Sequence, residues 1–394
     1  MPITRRDFLA SSAFLAASSL AITGLARANR SIDPVLGQSA LDEISAIAAA
    51  AVTAGNSPGI ALAIWKNGKE IYSHYAGVAN LETKSRVTAA SVFRIGSLTK
   101  QFAGALILQL VSQKKLSLSD PAHKHLPFLA KHEPFTVQEL LNHTAGVRDA
   151  DYDVTRLKTH SQIEQAELIA QQDPFFDFCP GTAWLYSNAN YILIGAIIEQ
   201  ASGKALADIA NTLLFKPLGL QNTTFDNVAD IVEQRASGYT PTDTPTRPFQ
   251  NAEYLDVSRA GAAGAMRSTA SDLCRWHQAL FHGKFMPGTL TEKMITPGRL
   301  KNGRLASSNR FSENDKPMGE TQYGLGLMLD NATRNASLIV NHHGGINGFA
   351  SYLATHLESE LSFACLCNVD THPGLPFREL RRKIFQDILR PIVA

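Results

Sequence analysis

Only four cysteines occur in 394 residues, at 179, 274, 365 and 367. Cys365 and Cys367 share one face of a strand-like run, a poor geometry for bonding each other. This argues against a disulfide framework, and the four read as small buried hydrophobes. Neither sign of charge dominates, with 37 Lys+Arg against 35 Asp+Glu. With no basic block, nothing in the charge pattern recruits nucleic acid or an anionic membrane surface. Beyond the N-terminal segment no apolar run reaches the roughly 20 residues needed to cross a bilayer, so no integral span is expected. Twelve histidines are present, yet metal-binding spacing is not. There is no H-E-x-x-H, and His123-Lys124-His125 runs into Leu126-Pro127 where H-x-H-x-D needs its aspartate. No metal and no cofactor is expected.

Thr4-Arg5-Arg6-Asp7-Phe8-Leu9, an Ala/Ser/Leu run and Ala26-Arg27-Ala28 together have the form of a twin-arginine export signal with an A-x-A cleavage site. Residues 1–28 are therefore set apart from the fold, and a periplasmic or secreted location is expected. Removing Arg5, Arg6, Arg27 and Asp7 with the signal leaves the two charge signs balanced.

What remains is ordinary globular composition, 44% apolar and 18% charged, enough for one large domain or two packed ones. Leu41, Ile44, Ile47, Ala48 and Ala51 have helical spacing and stop at Gly55. Runs at 59–65 and 70–75 flank Asn67-Gly68, a strong hairpin signal. Between about 116 and 320, helical pieces (137–141, 163–170, 191–200, 206–214, 270–280) alternate with loops, including the Thr/Pro-rich 240–248. Strand patterns return at 323–329, 337–341, 349–355 and 361–367, before a final helix at 377–390. The fold class is α/β (α+β). One antiparallel sheet is built from both chain ends (29–96 and 321–394) and flanked by terminal helices, with an inserted, mainly helical domain at 97–320. The active site is expected in the cleft between them.

The stretch Phe93-Arg94-Ile95-Gly96-Ser97-Leu98-Thr99-Lys100 opens a helix that is apolar almost all round through Val111 and is therefore expected to be buried. Helical spacing puts Ser97 and Lys100 on one face. Burial and the helix dipole both push the amine toward its neutral form, which can accept a hydroxyl proton. S-x-x-K is a common pattern, and Ser112-Gln113-Lys114-Lys115 is a second match that reads as a solvated helix end. G-x-S-x-G, the elbow of α/β-hydrolases, is not made by Gly96-Ser97-Leu98-Thr99-Lys100.

Specificity comes from three more stretches: Tyr186-Ser187-Asn188 ahead of an apolar helix, His342-His343-Gly344-Gly345 between two strands, and Leu140-Leu141-Asn142-His143-Thr144-Ala145-Gly146. With these, the chain resembles the serine β-lactamase and penicillin-binding-protein superfamily, specifically its class C-like branch. That branch comprises class C β-lactamases, D-alanyl-D-alanine carboxypeptidases, D-aminopeptidases and β-lactamase-like esterases. Its S-x-x-K, Y-x-N and K-T-G-type elements correspond to Ser97/Lys100, Tyr186/Asn188 and His342-His343-Gly344, in order. The resemblance implies that Ser97 becomes acylated and that Lys100 and Tyr186 share the proton work, the phenol with its pKa lowered by the nearby ammonium. It further implies that Asn188 orients Lys100 and substrate, and that the Ser97 and Gly345 amides form an oxyanion hole, the glycines (Gly344 among them) allowing close approach.

His342 stands where β-lactamases carry a lysine, and an unperturbed imidazole is only partly charged at neutral pH. This loosens the demand for an anionic substrate. The expected activity is a serine hydrolase acting on a small ester or D-amino-acid amide or peptide. The alternatives are a class C-like β-lactamase and, outside enzymes, a catalytically silent penicillin-binding sensor or scaffold. No deacylating carboxylate is evident, since Glu139-Leu140-Leu141-Asn142 is one residue short of E-x-x-L-N. Substrate identity and oligomeric state are not legible.

Overall fold

A computed structural model describes residues 37–149, 161–283, 285–311, 321–331 and 337–387. The expected export signal and the end of the expected last helix lie outside the described residues.

In chain order, helix α1 (Gln38–Thr53) precedes the hairpin β1 (Gly59–Lys66) and β2 (Lys69–Gly77). Asn67 and Gly68 both take positive φ, 51° and 74°, the combination a type I′ turn demands and the reason this dipeptide marks it. Strand β3 (Phe93–Arg94) leads through a single 3₁₀ turn, Gly96–Leu98, into α2 (Thr99–Ser112). Then come α3 (Val137–Leu141), α4 (Gln162–Ala170), α5 (Asn188–Ser202), β4 (Thr224–Phe225), β5 (Tyr239–Pro241), β6 (Phe249–Asn251), β7 (Met266–Ser268) and α6 (Ala270–Phe281). The chain closes with β8 (Gln322–Tyr323), β9 (Met328–Asp330), β10 (Ile339–Ile346), β11 (Phe349–His356), β12 (Leu361–Cys367) and α7 (Phe377–Arg381).

Seven strands form one antiparallel sheet in the order β2-β1-β12-β11-β10-β9-β8, so both chain ends supply it as expected. The expected strand at 323–329 is instead two short strands. Gly324 and Gly326 lie between them, Gly326 at φ 86°, and turn the chain back on itself. The loop 240–248 is likewise bracketed by a small ladder in which Tyr239 faces Asn251 and Pro241 faces Phe249. On one side of the sheet Cys274 of α6 reaches the Ala63 carbonyl. On the other, α1 and the C-terminal helical segment are tied by a Lys383–Glu43 ion pair. Cys274, Cys365 and Cys367 are buried, as expected of small hydrophobes; Cys179 is exposed, a correction to that expectation.

α2 and α5 are apolar on all sides because both are enclosed. Every residue from Thr99 to Leu108 and from Ala189 to Ile198 is buried. Such enclosure fixes Lys100 and the start of α5 with little freedom. At the entry to α2, β3 pairs with β7, which also pairs with β4. Asp226, its side chain fully buried, accepts from Arg94 at 3.0 Å, Arg267 at 2.6 Å and Arg235 at 3.1 Å. One carboxylate thus gathers three guanidiniums beneath the strand that delivers Ser97. Asp226→Asn leaves cations without their counter-ion, and a loss of about 3–5 kcal/mol is expected, read as a lower urea midpoint at unchanged slope.

Candidate active site

The Ser97 turn is gripped from two sides. Thr99 donates to the Gly96 carbonyl (2.7 Å) and accepts from the Met266 amide (3.2 Å), while Ile95 donates to the Met266 carbonyl (2.9 Å). From the sheet, Ser351 donates to the Ile95 carbonyl at 2.8 Å. Gly96 has φ 49°, and a Cβ there would lie 2.7–2.9 Å from the backbone of Gly345. A Cβ on Gly344 would lie 2.0 Å from the Ile95 carbonyl oxygen. Both positions require glycine, since strand and nucleophile turn touch through bare backbone.

β9 covers β10 only from Ile339 to Asn341, leaving the outer edge of residues 342–346 without a strand partner. The two-residue turn Asn347–Gly348 closes the β10–β11 ladder on the pair Ile346/Phe349. Alternation then makes Gly345/Ala350 a non-hydrogen-bonded pair, so the Gly345 N–H points away from β11 to the open edge, where Gly96 lies. Ser97 N–H sits in the first turn of its helix, where no intrahelical acceptor exists. Gly345 is exposed and Ser97 half-buried, so both can be reached by a small molecule.

Lys100 is fully buried. Its Nζ lies 2.8 Å from Asn188 Oδ1, 2.8 Å from the Ala263 carbonyl oxygen and 3.1 Å from Ser97 Oγ. A neutral amine has two N–H bonds and one lone pair. As an ammonium Lys100 donates to all three oxygens; as the amine it keeps the two carbonyl acceptors and has a lone pair free to take the Ser97 hydroxyl proton. Burial lowers the Lys100 pKa to about 7, against a raising effect from Asp149. The direction expected from the sequence holds.

Tyr186 shares a hydrogen bond with Ser97, and its ring lies under Lys100, whose Nζ is 4.8 Å from the centroid. Its pKa is raised above the ordinary phenol value, chiefly by burial, which outweighs the Ser97 hydrogen bond. The sequence led to the opposite expectation, that a neighbouring ammonium would lower it. Burial is the largest influence, and the nearby Asp149 carboxylate raises the value further.

Asn188 is the first residue of α5 and bridges two groups. Its Oδ1 accepts from Lys100 while its Nδ2 donates to Asp149 at 3.1 Å. Asp149 also accepts from the Ala189 N–H at 2.9 Å, capping a helix whose own N-cap residue, Ser187, makes no side-chain cap bond. As a residue Asp149 is solvent-exposed, but its carboxyl end turns inward, where desolvation raises its pKa against these hydrogen bonds.

His342 is 1% exposed and does not face the cleft as a cation. Its Nδ1 lies 2.5 Å from the His343 carbonyl oxygen, which can only accept, so Nδ1 carries the hydrogen; Nε2 then accepts from the Tyr323 hydroxyl at 3.0 Å. Burial, with help from Lys100, depresses its pKa to about 3. The partial charge expected from the free imidazole value is absent at neutral pH. Glu139 is committed elsewhere. Its carboxylate accepts from the Thr136 amide (2.7 Å) and hydroxyl (3.0 Å) in a capping box at the start of α3.

The structure thus gathers Ser97, Lys100, Tyr186 and Asn188 at one point, lays Gly344 and Gly345 beside them, and holds His342 behind. Sequence reasoning missed Asp149, Tyr323 and the Ala263 carbonyl. A main-chain acceptor carries no residue signature, and Asp149 lies in no recognisable motif. Among the described residues no cluster of His, Cys, Asp and Glu could hold a metal ion, and no helix is long and apolar enough to cross a membrane.

A serine and an amine on consecutive helical turns, with a phenol from the loop before a second helix and an amide from that helix's first residue, sit beside an open strand edge of an antiparallel sheet. That arrangement defines the β-lactamase/transpeptidase-like fold. The Beta-lactamase family model matches residues 44–386, and the chain belongs to that family. It is 28% identical over 320 residues to penicillin-binding protein 4* of Bacillus subtilis, a match covering 77% of this chain and 66% of that protein, so the chain spans just under two thirds of this relative's length. A D-stereospecific amidohydrolase from a Streptomyces species superposes with a TM-score of 0.71 at 26% identity, covering 88% of this chain and 98% of that one. The D-amino acid amidase of Ochrobactrum anthropi SV3 complexed with D-phenylalanine gives 0.74 at 24% identity, covering 89% and 100%.

Proposed function

We propose that this chain is a serine hydrolase working through a Ser97 acyl-enzyme on small ester or D-amino-acid amide or peptide substrates. The observation that carries the reading is the contact of Lys100 Nζ with Ser97 Oγ at 3.1 Å, at a buried amine held in place by the Asn188 and Ala263 carbonyl oxygens. In the first step Ser97 Oγ bonds to the substrate carbonyl carbon and its proton passes to Lys100 Nζ. The oxyanion is met by the Ser97 and Gly345 amides; removing such a donor typically costs on the order of 10²–10³ in rate. As the carbon–leaving-group bond breaks, Lys100 returns the proton through the Tyr186 phenol to the departing oxygen or nitrogen. Lys100, neutral again, takes a proton from water as its oxygen bonds to the acyl carbon; the Ser97 Oγ–carbon bond then breaks and Lys100 returns that proton to Ser97 Oγ, releasing the acid.

The cleft between the sheet residues (29–96, 321–394) and the helical residues (97–320) is the substrate cleft in this reading. An export route follows from Arg5-Arg6 and Ala26-Arg27-Ala28.

His342 is neutral and enclosed, so the third motif offers no fixed cation to a substrate carboxylate, while Asp149 presents an anion beside Asn188. Substrates lacking a carboxylate next to the scissile bond are favoured, and the likeness to a D-stereospecific amidohydrolase points the same way. Parallel assays with a p-nitrophenyl ester, a D-amino-acid amide, a D-Ala-D-Ala peptide and a chromogenic cephalosporin test this. Turnover of the first two, with slow or no cephalosporin hydrolysis, is expected. Fast cephalosporin turnover overturns the preference, and labelling of Ser97 by a serine-directed probe without turnover of any substrate indicates a sensor.

A further inference from the structure

We propose that His143, in the Leu140–Gly146 segment, is a positioning residue that holds the Tyr186 phenol beside Ser97; this rests on the reading that Tyr186 relays the Lys100 proton to the leaving group. His143 is fully buried, yet it touches none of Ser97, Lys100 or Asn188 through any hydrogen bond seen here. Its contacts instead bracket Tyr186. The His143 carbonyl accepts from the Leu185 N–H at 3.2 Å, and its Nδ1 accepts from the Ser187 N–H at 3.2 Å. The residues on either side of Tyr186 are thus hung from one amino acid. Between these two bonds the imidazole lies against the phenol ring itself, centroids 4.4 Å apart at 35°. On its remaining sides it meets Tyr323 at 4.8 Å and Tyr191 at 5.3 Å, and Tyr323 is the residue that holds His342.

The backbone settles the tautomer. An amide N–H can only donate, so Nδ1 must be the unprotonated nitrogen, and the Asn190 amide nitrogen, 3.3 Å away, donates to it as well. The proton therefore sits on Nε2, a buried atom with no hydrogen-bond partner among the described residues, in a ring packed against tyrosines. Burial keeps the ring neutral, its pKa well below the ordinary value. A second proton on Nδ1 would oppose two donors at once.

The residue adopts φ 63° just past the end of α3, where the Thr144 and Ala145 amides return to the Glu139 carbonyl; this left-handed conformation is uncommon outside glycine but tolerated by histidine and asparagine. Asparagine is also the informative replacement. Its Oδ1 is attached at the same place as histidine Nδ1, so His143→Asn keeps the acceptor and the backbone while His143→Leu keeps bulk and loses the acceptor.

The test is a double-mutant cycle with Tyr186→Phe on a D-amino-acid amide, whose nitrogen leaves only when protonated and so needs the proton Tyr186 delivers. His143→Leu is expected to lower kcat by about 10²-fold, the scale of a 1 Å misplacement, with KM changed less than about threefold. His143→Asn is expected to stay within about tenfold of the parent. In the Tyr186→Phe background the effect of His143→Leu should shrink to about threefold, because residues acting as a unit are not additive. If His143→Leu does not fold, Asn190→Ala, which removes one of the two donors aiming the ring, runs the same cycle with a smaller kcat effect and the same loss in the Tyr186→Phe background. Full additivity, a loss confined to KM, or equal damage from Asn and Leu overturns the positioning role alone. If Tyr186→Phe itself leaves turnover intact, the proton role of Tyr186 falls and this inference with it.

Discussion

Ser97→Ala is expected to lower kcat for a p-nitrophenyl ester by on the order of 10⁶, the loss seen when an acyl-accepting nucleophile is deleted from a preorganised site. The change removes one oxygen and little else. Lys100 retains its bonds to Asn188 and Ala263, and the grip on Gly96 and Thr99 runs through backbone and Thr99. Thermal unfolding should therefore be nearly unchanged, which separates lost chemistry from lost fold. Whatever rate remains belongs to the oxyanion pocket and binding. Undiminished hydrolysis would be fatal to the proposed mechanism.

Lys100→Met should cost about 10²–10⁴ in kcat/KM, the usual worth of a positioned base, and it should also reveal itself in the pH dependence of stability. The Lys100 pKa is lowered by burial from 10.5 to about 7 in the folded chain. Between those values the unfolded chain holds a proton the folded one does not, so stability must rise with pH across that window. The penalty is complete below about pH 7 and fades as pH approaches 10.5. The stability of the parent relative to Lys100→Met is expected to increase by about 1.4 kcal/mol per pH unit there, measured by urea unfolding at several pH values. Activity follows the same proton. In the parent, kcat/KM should rise through about pH 7 as the ammonium becomes amine. Asp149→Asn removes an anion that favours the ammonium, so its rise should begin at lower pH. Flat profiles for parent and variant alike would exclude Lys100 as the base.

Much of this was legible before any coordinates. Strand pattern at both chain ends was enough to place the sheet, because alternation, Asn67-Gly68 and Gly-bounded runs report local geometry directly. Enclosure of α2 followed from its lack of a polar face, and burial of Lys100 followed from that. The protonation states were less accessible. His342 is neutral because a main-chain carbonyl and Tyr323 enclose it, and Tyr186 is held as a phenol because burial outweighs its neighbours. Both are balances between desolvation and partners that come from distant segments. Asp149 escaped notice for the same reason: its importance lies in the Asn188 amide it touches, 39 residues further along. The sharp turn at Gly324–Gly326 was hidden inside an apolar run that reads as one continuous strand.

The most direct test is to mix the protein with a p-nitrophenyl ester, quench in acid within one turnover, and weigh its peptides. An acyl group on the peptide containing Ser97, accumulating with the burst of p-nitrophenol and lost on longer incubation, is the predicted result. Steady turnover with that peptide unmodified at every quench time, or an acyl group on another residue that decays at the turnover rate, would contradict it.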